Sequence, residues 1–202
     1  MTLSNRKILR TLLCLLAGTL YAVCLSACDA KEPLSENRDA EIESPVIAND
    51  LSNQKVTAIA EDTQGHIWIG TFRGLNKNNV HDYHQYFCTD DSLGLPDNQI
   101  THLLRDSKNR FWVGTVNGVC LYTDKDNFRI IPIEADNKNV RQILEDRNGR
   151  IFLNTGFQLY AYHPREEKIT CVLPEISPGN AFYAQCHIAP DNNLWVMTST
   201  GL

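Results

Sequence analysis

From Val56 onward, short runs of apolar and β-branched residues alternate with clusters of Asp, Asn, Gly and Lys. Runs of period two separated by turn residues predict β-strands joined by tight hairpins. The stretch from Gln99 to Leu121 shows the unit. Ile100-Thr-His-Leu-Leu104 suits a strand with one buried face, and Asp106-Ser-Lys-Asn109 is turn chemistry, since Asp and Asn bond their own backbone and Asn tolerates positive φ. Phe111-Trp-Val-Gly-Thr115 has the aromatic and β-branched content of a packed strand, and Asn117-Gly118 turns the chain into another.

This unit recurs from Val56 and Val140, and in a looser copy from Tyr183. Trp68, Trp112, Phe152 and Trp195 are equivalent positions, separated by 44, 40 and 43 residues. Each lies 12 residues after the first strand residue of its copy: Val56, Ile100, Val140 or Tyr183. A period of about 40 to 50 made of short strands is the signature of propeller blades. The pattern predicts strands near 56–60, 67–71, 74–78 and 82–87, then 100–104, 110–115, 118–123 and 128–133, then 140–144, 150–154, 157–162 and 168–173. The expected fold is all-β, a partial β-propeller of about three and a half four-stranded blades at 51–94, 95–137, 138–180 and 181–202. The last copy stops at Gly201-Leu202, where its third strand is due, and a ring with unpaired edges needs completion. The expectation is a fragment of a longer protein, completed by the remainder of the propeller; the alternative is another copy.

The first 27 residues are not expected to belong to this fold. Arg6, Lys7 and Arg10 precede an uncharged apolar run from Thr11 to Ala27, the pattern of an export signal. Leu25-Ser-Ala-Cys28 resembles the bacterial lipobox, which implies that Cys28 becomes the lipidated first residue. Ordinary cleavage and an uncleaved signal anchor are the alternatives. Residues 28–50 are rich in Glu, Ser, Asn and Pro without periodicity, which predicts a flexible tether. Removing 1–27 leaves 16 of the 19 basic residues against all 24 acidic ones, a formal charge of −8. Such a balance disfavours nucleic acid and anionic headgroups as partners. Cys88, Cys120, Cys171 and Cys186 show no CxxC spacing, so buried thiols are expected rather than a zinc or redox site.

The run Glu-Asp-x-x-Gly-x-Ile-Trp-Ile-Gly-Thr-x-x-Gly-Leu at 61–75, with its near copy at 105–119, resembles the two-component regulator propeller repeat. The third copy departs, with Phe152 for Trp, Asn154 for Gly and a residue missing before Phe157; the fourth has Pro190-Asp-Asn-Asn193 at its turn. In that family such propellers form the periplasmic sensor of hybrid two-component histidine kinases, often tuned to polysaccharide breakdown products. A β-sandwich, a transmembrane helix, and kinase, receiver and DNA-binding modules follow them. The resemblance implies an exported, membrane-anchored sensor of oligosaccharides with no catalytic residue in this stretch. An exported lyase or glycosidase, or a protein-interaction scaffold, is the alternative.

Candidate chemistry is sparse. Trp68, Trp112 and Trp195 are expected in the inter-blade core, with sugar stacking as the rival reading. Asp62, Asp106 and Asp146, each six before the aromatic, are expected to cap hairpins rather than ring a site. They are similar to the aspartate boxes of sialidase propellers, which are structural turns. Gly70, Gly74, Gly114 and Gly118 are expected to be structural. His81 and His84, three apart on a strand, chelate poorly, and Asp124-Lys-Asp-Asn127 lacks the rest of a calcium loop. No metal or cofactor is expected. Arg73, Lys77 and Asn117, in or just after the glycine corners, are the first candidates to touch a ligand.

Overall fold

The computed structural model describes residues 45–89, 94–174 and 183–199. The expected signal 1–27, Cys28, the tether to residue 44, and Gly201-Leu202 lie outside the described residues. The described chain is an all-β partial propeller. Blade 1 contains β2 (Val56–Glu61), β3 (Ile67–Thr71), β4 (Gly74–Asn79) and β5 (Asp82–Tyr86). Blade 2 contains β6 (Ile100–Arg105), β7 (Phe111–Thr115), β8 (Gly118–Tyr122) and β9 (Phe128–Ile131). Blade 3 contains β10 (Gln142–Glu145), β11 (Ile151–Asn154), β12 (Leu159–His163) and β13 (Lys168–Leu173); β14 (Tyr183–Ile188) and β15 (Leu194–Thr198) pair in blade 4. From β2 onward, neighbouring strands are antiparallel and follow chain order within each sheet.

The stretch expected to be tether ends in a strand. β1 (Val46–Ala48) adds antiparallel to β5, outermost in blade 1, with Ile47 opposite His84. The Gln85 side chain donates to the Asp50 carbonyl at 2.8 Å, tying the segment down.

The hairpins repeat in atomic detail. At three positions before the aromatic, Gly65, Asn109, Gly149 and Asn192 all take positive φ, between 61° and 85°. That is why the sequence allows only Gly or Asn there. At the start of each of the first three units, Asn53, Asp97 and Asn137 each accept from the amide two residues on, at 2.8–2.9 Å, and launch the first strand. Thr71, Thr115 and Thr155 are fully buried, and each hydroxyl donates to the carbonyl three residues ahead, on Gly74, Gly118 and Gln158. All three corners therefore have one length. The residue expected to be missing before Phe157 is not missing: Gln158 stands where Gly74 and Gly118 stand. The glycine has moved to the second corner position as Gly156, with φ of 89°.

Each blade leans its aromatic residue on the next. Trp68 packs on Phe111 and Tyr122 of blade 2, with centroids 5.0 and 4.8 Å away, and Trp112 meets Tyr162 of blade 3 edge-on at 4.9 Å. Phe152 clusters with Cys186 of blade 4. Gly70 permits this approach, since a β-carbon there would lie 2.5 Å from Ile100 Cγ2, and Gly114 faces Val140 in the same way. In blade 3 the position is Asn154, whose amide donates across the interface to the Tyr183 carbonyl at 3.2 Å.

Trp195 corrects the expectation of a fourth buried aromatic: it is 53% exposed, whereas Trp68 and Trp112 are 0%. Its side faces away from blade 3, and among the described residues no sheet covers it. The cysteines also divide. Cys120 and Cys186 are buried free thiols, and burial pushes Cys186 up to about 11. Cys88 and Cys171 are exposed, contrary to expectation, because one follows an outer strand and the other lies on outermost β13.

Candidate functional site

The aspartates six before each aromatic organise the hairpin end of the blades. Asp106 Oδ1 accepts from the amides of Lys108 and Arg110 at 3.0 and 2.8 Å, and Oδ2 accepts from Arg110 Nε at 2.6 Å and Trp112 Nε1 at 2.9 Å. Asp62 does the same with Gln64, His66 and Trp68, and Asp146 with Asn148 and Arg150. Burial works against charge on Asp62, but the bonds from the Trp68 indole, the His66 and Gln64 amides and the His66 ring outweigh it and hold the carboxyl below 3.8. Asp146 is lowered by the same balance, burial opposing and the Arg150 and Asn148 bonds prevailing. These carboxylates are occupied by structure. In blade 4 Ala189 takes the aspartate position, and Asp191 caps instead, accepting from Asn193.

The residue two before the aromatic was not singled out in the sequence, yet it shapes the interfaces. In blade 2 it is Arg110, whose guanidinium lies 5.2 Å from both the Trp112 and the Tyr162 ring centres and fills the slot between blades 2 and 3. In blade 1 it is the shorter His66. The equivalent slot between Trp68 and Tyr122 is reached instead by Lys77 of β4, whose Nζ lies 5.3 and 5.6 Å from those two ring centres. Lys77 pairs with Trp68 in the sheet, as Leu121 pairs with Trp112 and Ala161 with Phe152. The cation is thus a departure from the repeat.

A cleft of about 420 Å³ opens here between blades 1 and 2, lined among others by Lys77, Arg105, Lys125, Tyr122, Phe111 and Asp126. Its volume is in the range of small-ligand sites. Asp126 Oδ1 accepts from the Tyr86 and Tyr122 hydroxyls at 2.6 and 2.9 Å, linking the two blades. Burial first, and then this carboxylate, raise both phenols well above 10, so they remain donors. Lys125 and Asp126 both hold positive φ, 66° and 60°. Arg105 Nη1 donates to the Asp62 carbonyl at 3.1 Å.

The three candidate ligand residues do not assemble. Arg73 and Asn117 are exposed at the glycine corners, where their amides donate to Thr71 and Thr115. Lys77 lies further along β4, toward the opposite, hairpin end, and it alone reaches the cleft.

The profile of the family described as "Two component regulator propeller" matches residues 50–73 and 94–117, the two units whose corners and caps carry the full pattern. Residues 50–73 and 94–117 are two-component regulator propeller repeats. Among solved structures, this chain is similar in fold to two extracellular domains assigned to putative hybrid two-component systems of B. thetaiotaomicron. One has a TM-score of 0.62 at 24% identity, covering 71% of this chain and 20% of that one. The other has 0.59 at 22% identity, covering 73% and 21%. Virginiamycin B lyase from Staphylococcus aureus shares the propeller fold, with a TM-score of 0.56 at 18% identity over 78% of this chain and 57% of that one. No curated protein sequence matches. The chain spans about a fifth of the length of the sensor domains it matches.

Proposed function

We propose that this propeller is the ligand-sensing part of an exported two-component sensor and that its ligands are oligosaccharides. The observation that carries the reading is the pair of regulator repeats at 50–73 and 94–117. The similarity to extracellular sensor domains and the signal-like N-terminus support an extracytoplasmic location. A binding role also suits the site. The recurrent aspartates are committed to capping, whereas the cleft between blades 1 and 2 offers cationic and aromatic groups. A glycan array probed with the full chain is expected to show retention of a subset of oligosaccharides without turnover. Cleavage of a retained glycan, or no retention across a broad array, defeats the proposal.

We further propose that Cys28 anchors the protein to a membrane through lipid. Metabolic labelling with palmitate is expected to mark the chain and to be lost in Cys28→Ser. Labelling that survives the substitution, or none at all, rejects this anchor.

A further inference from the structure

The interfaces between blades 1 and 2 and between blades 2 and 3 are built on one plan, and their difference points to a ligand. In the second, Arg110 lies between Trp112 and Tyr162 with its Nε on Asp106, so the guanidinium itself fills the slot, its Nη2 buried and without a hydrogen-bond partner among the described residues. In the first, Asp62 is satisfied by His66 and the Trp68 indole, so it makes no demand on Lys77. Lys77 is half-buried on the Trp68 and Tyr122 rings, and among the described residues no acceptor lies within hydrogen-bonding distance of its ammonium. A half-buried ammonium held over two rings, with its N–H donors unused by the protein, is open to a charge-assisted bond with an anion.

Other groups around the cleft agree. Arg105 and Lys125 add two cations, and Arg105 replaces the Glu61 and Glu145 found at its position in blades 1 and 3. Of the two lining carboxylates, Asp62 has both oxygens engaged, and Asp126 Oδ1 already serves two phenols. Tyr122, half-buried, gives the cleft an aromatic surface that can meet the C–H face of a sugar ring.

We infer that the cleft between the first two blades binds the acidic group of an anionic saccharide, a carboxylate or a sulfate, with Lys77 as its principal contact. This rests on the reading of the propeller as an oligosaccharide sensor and narrows it to acidic sugars at one inter-blade position.

The test is titration calorimetry of the full chain with digalacturonate, sulfated neocarrabiose and neutral galactobiose. One or both acidic probes are expected to bind, weakening as salt rises, and which of them binds separates carboxylate from sulfate. Lys77→Met keeps an apolar stem over Trp68 and is expected to weaken binding about tenfold or more with an unchanged melting temperature. His66→Arg copies the Arg110 arrangement into blade 1. It is expected to close the cleft and abolish binding even though it adds positive charge, which a nonspecific attraction would not do. Acidic probes that bind Lys77→Met and His66→Arg as well as the parent overturn the cleft. Binding of galactobiose alone overturns the acidic specificity and leaves the oligosaccharide reading standing, whereas silence with all three probes counts against both.

Discussion

Asp106 shows how one carboxylate can hold a blade together. It is 3% exposed and accepts two amides, a guanidinium and the indole of a fully buried tryptophan. Asp106→Ala is expected to strand Arg110 and Trp112 Nε1 in the interior and cost about 3–5 kcal/mol. A urea midpoint measured with unchanged slope checks this, and a loss below 1 kcal/mol would mean that the cap is dispensable. Titration adds a second residue-scale prediction. Burial depresses His102 on β6 below 6.5, against the opposing effect of its hydrogen bond to the Ile143 backbone. The unfolded chain therefore takes up the proton more readily, so stability is full above about pH 6.5 and declines as pH falls through the folded value. Asp62 and Asp146, both lowered, add a second decline below 3.8 as they are protonated. Gln142 occupies the His102 position in blade 3 and makes two bonds, 3.0 and 2.8 Å, to the Cys186 backbone of blade 4. His102→Gln is thus expected to preserve the inter-blade link while removing the upper of the two declines in a plot of melting temperature against pH. An unaltered profile would show that another group is titrating.

At the scale of strands and corners, the glycines after the aromatic separate close approach from backbone strain. Gly70 and Gly114 lie in strands without positive φ, so their constraint is steric. A β-carbon at Gly70 meets Ile100 Cγ2 at 2.5 Å, while at Gly114 the nearest contact, Val140 Cγ1, is at 3.1 Å. Gly70→Ala is expected to cost about 1–3 kcal/mol and Gly114→Ala less, with Ile100→Val recovering part of the first loss. Equal penalties in thermal melts would contradict the geometry. The same positions show what sequence could and could not reveal. The period, the strands and the capping aspartates were legible because each is a local pattern of turn chemistry and alternation. The bond from Asp106 to Trp112 was not, since it joins groups six residues apart only after the hairpin closes. The glycine of the third corner misled because Gly156 satisfies the turn from another position, which spacing alone reads as a deletion. Lys77 was legible as a cation beyond a corner. Its separation from Arg73 and Asn117 follows from register, which carries it along β4 to the other end of the blade.

For the molecule as a whole, the decisive comparison is between interior and outer blade faces. Ile100 and Leu103, 0% and 6% exposed, receive Trp68 from blade 1, and Val140 and Ile143, 0% and 1%, receive Trp112 from blade 2. Their counterparts in blade 1, Val56 and Ile59, are 42% and 65% exposed, and in blade 4 Trp195 and Met197 are 53% and 47% exposed. One outer face is the receiving half of an interface the chain forms repeatedly within itself, and the other is the inserting half. Complementary patches at opposite ends of one molecule make a head-to-tail contact, which grows into a ring or a filament depending on whether the rotation closes. This chain alone is therefore expected to associate as its concentration rises, with blade 4 of one copy against blade 1 of the next. Sedimentation velocity should show mass increasing with concentration. Trp195→Lys should return the monomer without lowering the melting temperature, because the side chain it replaces contributes little to the isolated fold. Ile59→Lys, at the other end, should do the same, and mixing the two variants should restore no more than a single junction, between the intact blade 4 of one and the intact blade 1 of the other. A parent chain that stays monomeric at high concentration would show that these faces, though shaped as halves of one interface, are too weak to join separate copies.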